Sequence, residues 1–319
     1  MAIIQFASML QTPVATNPTT PSTNTSGNFV IVQQEFGGNF KAGNKTTRVM
    51  DGTTPFIGSR AWMPTYQGAR WFIGFSDADI RVIDESWAVK STITNAVHQA
   101  GTAYRIHSYN GKFCIVGSTG IRFGTYNQTT DTWTNGTLLA NEVPPLDSVI
   151  DTSNGRIYIS SAFGGTIARN VTVLDITTET VIDRQTVAGS SNLSQISVGS
   201  MGLLVVANDG TARLVDKTNF ATIGGLLSFP NIFGAIAYSN GKFWLTQQTN
   251  ATLKSVDETN GSIVLAQSGV SAPSGCVSDA NFVYMAEQTA NKITVIDSLT
   301  GAINGSAITG FNSPVFRTA

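Results

Sequence analysis

The stretch NKITVIDSLTGAINGS, residues 291–306, decides the fold. It reads as a strand of alternating apolar residues, an aspartate where the strand stops, and a turn into another strand. The same phrase stands at 79–92 (DIRVIDESWAVKST), 170–185 (NVTVLDITTETVIDRQ), 211–225 (TARLVDKTNFATIGG) and 251–267 (ATLKSVDETNGSIVLAQ). Self-similarity at a period of about 40 residues marks stacked or radial repeats.

A second phrase precedes the first in each unit, a short turn between two apolar runs. It reads YQGARWFIG (66–74), YNGKFCIVG (109–117), SNGRIYIS (153–160), SMGLLVVA (200–207), SNGKFWLT (239–246) and DANFVYMA (279–286). Asn-Gly between alternating apolar residues predicts a tight hairpin, because its turn needs positive φ at both central positions. Each unit then opens with two antiparallel strands, and the Asp phrase supplies a third and a fourth. Asp84, Asp175, Asp216, Asp257 and Asp297 end the third strands. A carboxylate there accepts a hydrogen bond from a backbone N–H two residues on and so starts the next turn. That explains a recurring aspartate without catalysis. The second unit departs from the pattern, with FGTYNQTTDTWTNG near Tyr126 and no matching Asp.

Four short strands per 40–45 residues is the period of a β-propeller blade. Units begin near Gly58, Thr102, Leu146, Asn192, Asn231 and Gly275, and another begins at Ser313 but stops after VFRTA. The missing strands are expected at the other end: SGNFVIVQQ (26–34) as second strand, NKTTRVMDG (44–52) as third with its Asp51, and TTPFIG (53–58) as fourth. The expectation is an all-β, seven-bladed propeller of four-stranded antiparallel blades. Its last blade is shared by 28–57 and 315–319, with the last five residues paired beside Phe29–Gln33. Residues 28–319 form one domain. Such closure hides sheet edges and ties the chain ends together.

The phrases ITVIDSLTGAI (293–303) and LKSVDETNGSI (253–263) resemble the repeats of YVTN-type and quinoprotein-like propellers, which carry I-x-V-I-D-x-x-T-G/N-x-V/I. The resemblance spans roughly residues 28–319 and is specific in the last few units. It implies a fold and little chemistry, since propellers host enzymes, receptors and scaffolds alike. The Gly-His and Trp-Asp dipeptides of WD-type repeats are absent.

Composition narrows the function classes. Of 319 residues only 12% are charged and the net charge is -1, so no basic face for nucleic acid or anionic lipid is expected. Thr alone (40) outnumbers Lys, Arg, Asp and Glu together (39), which suits half-exposed strand positions. No run of 18 apolar residues exists, so no membrane span is expected. The opening decamer lacks a basic flank and makes a poor signal peptide. Cys114 and Cys276 lie in apolar runs of different units and read as buried free thiols.

Residues 1–27 stand outside the repeats. TPVATNPTTPSTNTSG (12–27) is rich in Pro, Thr, Ser and Asn and is expected to run extended. Before it, MAIIQFASML carries Ile3, Ile4, Phe6, Met9 and Leu10. A greasy decamer on a polar tether reads as an anchor for another protein or a neighbouring copy; the plain alternative is a disordered terminus.

Catalytic propellers place reactive groups at the central axis. The ionisable residues expected on or beside innermost strands are Arg105, His107, Asp151, Asp279 and Arg317. They would line a funnel that binds a small anion or sugar, or form an ion-paired channel with no ligand. His98 and His107 are the only histidines, and no zinc spacing, Walker loop, nucleophile elbow or dinucleotide fingerprint occurs in context, so no metal and no cofactor is expected. Trp71 and Trp244 are expected in packing between blades; Trp87 and Trp133 would stack on a sugar or pack at an interface.

These features together suggest a non-enzymatic structural or adhesion protein: a virion component, such as a phage capsid-decoration or tail/fibre protein. It would be held by its N-terminal arm to other assembly proteins in a homo- or hetero-oligomer. The propeller would face a neighbour or a host surface glycan or receptor. The alternatives are a lactonase- or quinoprotein-like enzyme using the funnel, or an interaction scaffold at the bacterial surface or in the cytoplasm.

Overall fold

Asx turns and Asn-Gly hairpins set the strand boundaries of this chain. The computed structural model describes residues 29–34, 40–48, 50–56, 65–75, 77–140, 145–161, 170–187, 193–207, 209–230, 232 and 234–316. The N-terminal part gives β1 (Phe29–Gln34), β2 (Phe40–Asn44) and β3 (Met50–Phe56). Blade 1 is β4 (Thr65–Gln67), β5 (Arg70–Gly74), β6 (Ile80–Asp84) and β7 (Val89–Ile93), followed by a single helical turn, α1 (Asn95–His98). Blade 2 is β8 (Ala103–Tyr109), β9 (Lys112–Gly117), β10 (Gly120–Asn127) and β11 (Thr132–Ala140). Blade 3 is β12 (Pro145–Asp151), β13 (Arg156–Ser161), β14 (Asn170–Asp175) and β15 (Thr180–Thr186). Blade 4 is β16 (Leu193–Val198), β17 (Gly202–Ala207), β18 (Thr211–Asp216) and β19 (Leu227–Ser228). Blade 5 is β20 (Ala237–Ser239), β21 (Lys242–Gln247), β22 (Thr252–Asp257) and β23 (Ile263–Ser268). Blade 6 is β24 (Pro273–Ser278), β25 (Phe282–Glu287), β26 (Lys292–Asp297) and β27 (Ile308–Thr309), and β28 (Pro314–Val315) ends the series.

The described strands form seven four-stranded antiparallel sheets. The seven-bladed reading is nevertheless corrected: the repeat makes six blades, each from one uninterrupted stretch, and the remaining sheet is a composite of the chain ends in the order β28-β1-β2-β3. The strands expected within that composite are also corrected. Its third strand ends at Asn44, not Asp51, because Asn44 Oδ1 accepts from the Thr46 and Thr47 amides at 2.9 Å each. The stretch read as a third and a fourth strand around Asp51 is one strand, β3. Among the described residues, C-terminal pairing runs through Pro314 and Val315, with Gln34 and Gln33; residues 317–319 of the expected strand lie outside the described residues. Phe316 turns instead toward blades 5 and 6: its N–H donates to Ser274 O (2.9 Å) and its carbonyl accepts from Ala235 N (2.8 Å).

The other local expectations appear as turns. Positive φ occurs at Asn110 and Gly111 and at Asn240 and Gly241, the centres of two-residue hairpins. Asp84, Asp175, Asp216, Asp257 and Asp297 each accept from a backbone N–H two residues on, at 2.7–3.0 Å. In the divergent second unit Asn127 does the same work, accepting from Thr129 N and Thr130 N.

Strand alternation builds the core between sheets rather than within one. On β9, Phe113 and Ile115 face Phe72 and Val82 of blade 1, while Cys114 and Val116 face Ile150 and Ile157 of blade 3. Successive strand residues point to opposite faces, so a middle strand covered on both sides reads as a continuous apolar run. Tyr158 and Val171 pack on Leu203 and Val205 of blade 4, and Leu204 and Leu214 pack on Phe243 and Leu245 of blade 5. Trp244 meets Cys276 and Met285, Tyr284 and Val295 meet Phe316, and Ala42 of the composite sheet packs on Trp71 and Ile73 of blade 1. First strands of adjacent blades contact one another, β12 with β8 and β16, and β20 with β24, so they lie innermost.

Candidate functional site

Inner strands of three successive blades carry a polar side chain just after a local irregularity in their pairing. The register shifts between Ala103 and Arg105, between Pro145 and Asp147, and between Leu193 and Gln195. Such a bulge re-aims the next side chain. The three residues that follow are Arg105, Asp147 and Gln195, all buried. Arg105 donates from Nε (2.9 Å) and Nη2 (2.6 Å) to Asp147 Oδ1. Asp147 Oδ2 accepts from Ile196 N at 3.2 Å, and Oδ1 also accepts from Ser148 N at 2.9 Å. One carboxylate therefore ties blades 2, 3 and 4 together near the axis.

His107 shares the face of Arg105, two residues along β8. Its Nε2 lies 2.8 Å from Ser148 Oγ. Burial, and then the Arg105 charge beside it, push its pKa down to about 3, so the ring is neutral at physiological pH. Burial pushes the Asp147 carboxyl up, opposed by Arg105 and the Ile196 and Ser148 amides. Arg105 Nη1, His107 Nδ1 and Gln195 Oε1 are buried with no hydrogen-bond partner among the described residues.

Of the other expected funnel residues, Asp151 closes the inner strand β12 and Asp279 follows the inner strand β24. Asp151 ends β12 at a turn, where Lys217 Nζ approaches to 2.6 Å and Ser153 N and Oγ donate to its Oδ1. Burial pushes its pKa up, and Lys217 and Ser153 outweigh that and hold it low. Asp279 also starts a turn, accepting from Asn281 N, and it takes Lys45 Nζ and Tyr284 Oη at 2.8 Å each. Against burial, Lys45 and Tyr284 hold its carboxyl low. Each of these two is engaged by its own turn and a neighbouring lysine. Arg317 and the arm residues Ile3, Ile4, Phe6, Met9 and Leu10 lie outside the described residues.

Asp147 was not singled out by sequence reasoning, nor was Glu258. Glu258 is buried and accepts from Ser200 Oγ (2.5 Å), Tyr238 Oη (2.6 Å), Met201 N (2.7 Å) and Gly202 N (2.8 Å), which staples the first turn of blade 4 to blade 5. Trp71 and Trp244 are fully buried between sheets, as their neighbours suggested. Trp87 is buried beside Trp71 and Phe75, and Trp133 packs edge-on to Phe113 with centroids 6.2 Å apart. Cys114 and Cys276 are buried thiols in different blades. Burial pushes Cys276 up to about 12, which keeps it protonated and unreactive. Among the described residues no helix is long and apolar enough to cross a membrane, and no cluster of three or more metal-ligating residues occurs.

No protein family matches the sequence, and no curated protein does. Known structures match the fold. The Pan2 WD40 domain of Neurospora crassa superposes with a TM-score of 0.59 at 12% identity, over 77% of this chain and 80% of that one. Hydrazine synthase of Kuenenia stuttgartiensis gives 0.62 at 13% identity, over 89% of this chain and 95% of that one. PorZ, a bacterial surface component of the type-IX secretion system of Porphyromonas gingivalis, gives 0.63 at 11% identity, over 92% of this chain and 38% of that one. At such identities the likeness defines the β-propeller fold alone.

Proposed function

We propose that this chain is a non-enzymatic structural or adhesion protein of a virion, a phage capsid-decoration or tail/fibre component. In this reading its N-terminal arm anchors it and its propeller is displayed to a protein or glycan. The repeat phrases fit a YVTN-like propeller serving as a rigid disc. One observation carries the reading: a decamer as apolar as MAIIQFASML precedes a Pro/Thr-rich tether, outside the repeat phrases. A segment of that chemistry is suited to burial against a partner. The inner-strand polar groups support the non-enzymatic side. Arg105 and Asp147 neutralise each other, and Asp151 and Asp279 are tied to lysines, so none of these three carboxylates is left poised as a general acid or base.

Deleting residues 1–20 is expected to leave the circular dichroism spectrum and melting temperature of the ring unchanged. The same deletion is expected to abolish co-sedimentation with particles or higher-order assembly. A truncated protein that assembles normally overturns the reading.

A further inference from the structure

Exposed apolar side chains gather on the outer rim of blades 5 and 6. On β23 the run Ile263, Val264 and Leu265 is exposed on both faces of the strand, Val264 and Leu265 at 56% each. The turn between β26 and β27 adds Leu299 and Ile303. That turn leans on β23: Gln267 Nε2 donates to Gly301 O at 2.7 Å, and a Cβ on Gly301 would meet the Ala266 side chain at 3.5 Å. Five of the ten exposed large apolar residues among the described ones therefore stand on two adjacent blades. Scattered single residues need no explanation, but a contiguous patch marks an interaction surface.

β23 is also a sheet edge. It ends the order β20-β21-β22-β23, and among the described residues it pairs with β22 alone. An edge strand presents a row of unpaired N–H and C=O groups, and proteins commonly blunt it with charge. Lys90 does so on β7, and Asp183 and Arg184 do so on β15. Residues 259–278 and 298–316, which form this rim, contain no Asp, Glu, Lys, Arg or His. The edge is thus suited to an uncharged, apolar strand from elsewhere.

We infer that this rim receives the decamer MAIIQFASML of a neighbouring copy, which adds a strand to β23. The inference rests on the anchoring arm of the proposed function and names its partner, a second copy of this chain. The decamer has no charged side chain. As a strand it would set Ile4, Phe6 and Leu10 on one face and Ile3 and Met9 on the other. The edge is apolar on both faces too, with Val264 on one and Ile263 and Leu265 on the other. Strand addition draws affinity from main-chain hydrogen bonds and specificity from such alternating side chains. Length fits a neighbour. Residues 11–28 join the decamer to Phe29, and an extended tether of those 18 residues spans up to about 56 Å. A domain of this size has a radius of gyration of about 20 Å, so the tether clears its own ring and reaches a copy beside it.

The test uses full chains. Copies carrying Ser8→Cys are mixed with isotope-labelled copies carrying Ser268→Cys, at the exposed end of β23, and treated with a bismaleimide. Cys114 and Cys276 are buried and do not compete. A cross-link between positions 8 and 268 of different copies is expected, with none above background to Thr92→Cys on the exposed rim strand β7. In sedimentation, Val264→Asp is expected to raise the concentration needed for assembly by at least about tenfold, because the added strand would bury an unpaired charge. Val89→Asp on β7, at a position 58% exposed, is expected to leave it unchanged. Cross-linking confined to single copies, or equal at the two rims, overturns the inference. Assembly lost on deleting residues 1–20 but kept in Val264→Asp overturns it and spares the anchoring arm. Assembly kept in both refutes the two together.

Discussion

At a strand end the chain asks for one oxygen, and a carboxamide supplies it as well as a carboxylate. Asn44 and Asn127 occupy the place that Asp84, Asp175, Asp216, Asp257 and Asp297 hold in other units, with the same N–H two residues on as donor. At Asp175, whose Oδ1 accepts from Thr177 N (2.7 Å) and Thr178 N (3.0 Å), Asp175→Ala is expected to cost about 1 kcal/mol in denaturant titration. Asp175→Asn is expected to be nearly neutral. An equal loss in both would mean that charge, and not turn geometry, keeps the residue there. His107 gives a prediction of the opposite kind, since its contact is buried and its effect depends on pH. Its folded pKa of about 3 lies below the ordinary 6.5, so the unfolded chain binds the proton first as pH falls. Stability is fully present above pH 6.5 and is expected to fall by about 2 kcal/mol by pH 5. His98, also lowered by burial, acts with the same sign, and Asp147, raised by burial, acts with the opposite sign. Both are common to wild type and a His107→Gln variant, so the difference between the two stability–pH curves isolates His107. Parallel curves between pH 6.5 and 5 would refute this assignment.

At the scale of strands and turns, the inner-strand tie among blades 2, 3 and 4 is a buried ion pair, and such pairs are costly to break singly. Asp147→Asn leaves Arg105 charged, with no anion facing it, and is expected to destabilise by about 3–5 kcal/mol. The Arg105→Met/Asp147→Leu double variant is expected to recover most of that loss in thermal unfolding. A double variant no better than the single one would show that the Ile196 contact of Asp147, and not the charge pairing, carries the tie. A second close fit is at Gly275, φ +96, where a Cβ would stand 2.2 Å from Phe316 O. Gly275→Ala is expected to cost at least about 2 kcal/mol, because both the backbone conformation and the seat of Phe316 are lost. What was legible in the sequence follows the range of the forces involved. Asn-Gly hairpins and Asx turns act within two or three residues, so the repeat, the strands and their ends could be read directly. The same local chemistry misled the reading in one place, where Asp51 looked like the turn residue that Asn44 is. Arg105 and His107 stood out as charged and titratable groups on an apolar strand. Asp147 did not, because its partner is 42 residues away on another blade and nothing in PPLDSVID announces it.

Across the whole molecule, stability is distributed over junctions between sheets, and the composite sheet belongs to two of them. It meets blade 1 through Ala42 on Trp71, and blade 6 through Phe316, the Lys45–Asp279 ion pair at 2.8 Å and the Thr309 N to Arg48 O hydrogen bond at 3.3 Å. Phe316 is fully buried, and its backbone reaches both Ser274 and Ala235, so the last residues clasp blades 5 and 6 as well as completing the sheet. Deleting residues 314–319 removes that ring, two backbone hydrogen bonds and the pairing of Gln33 and Gln34. The loss is expected to be at least about 3–5 kcal/mol, the range for emptying a buried phenylalanine site. Its effect should be local before it is global, because each blade touches only its neighbours and the far junctions keep their packing. In hydrogen exchange, Phe29–Gln34 and Pro273–Ser278 should lose protection first, while the middle strands Lys112–Gly117, Arg156–Ser161 and Gly202–Ala207 stay slow. Unchanged protection at Phe29–Gln34 would mean the ring does not depend on its C-terminal clasp. A uniform loss across all blades would mean that closure, and not pairwise packing, sets the cooperativity of the wheel.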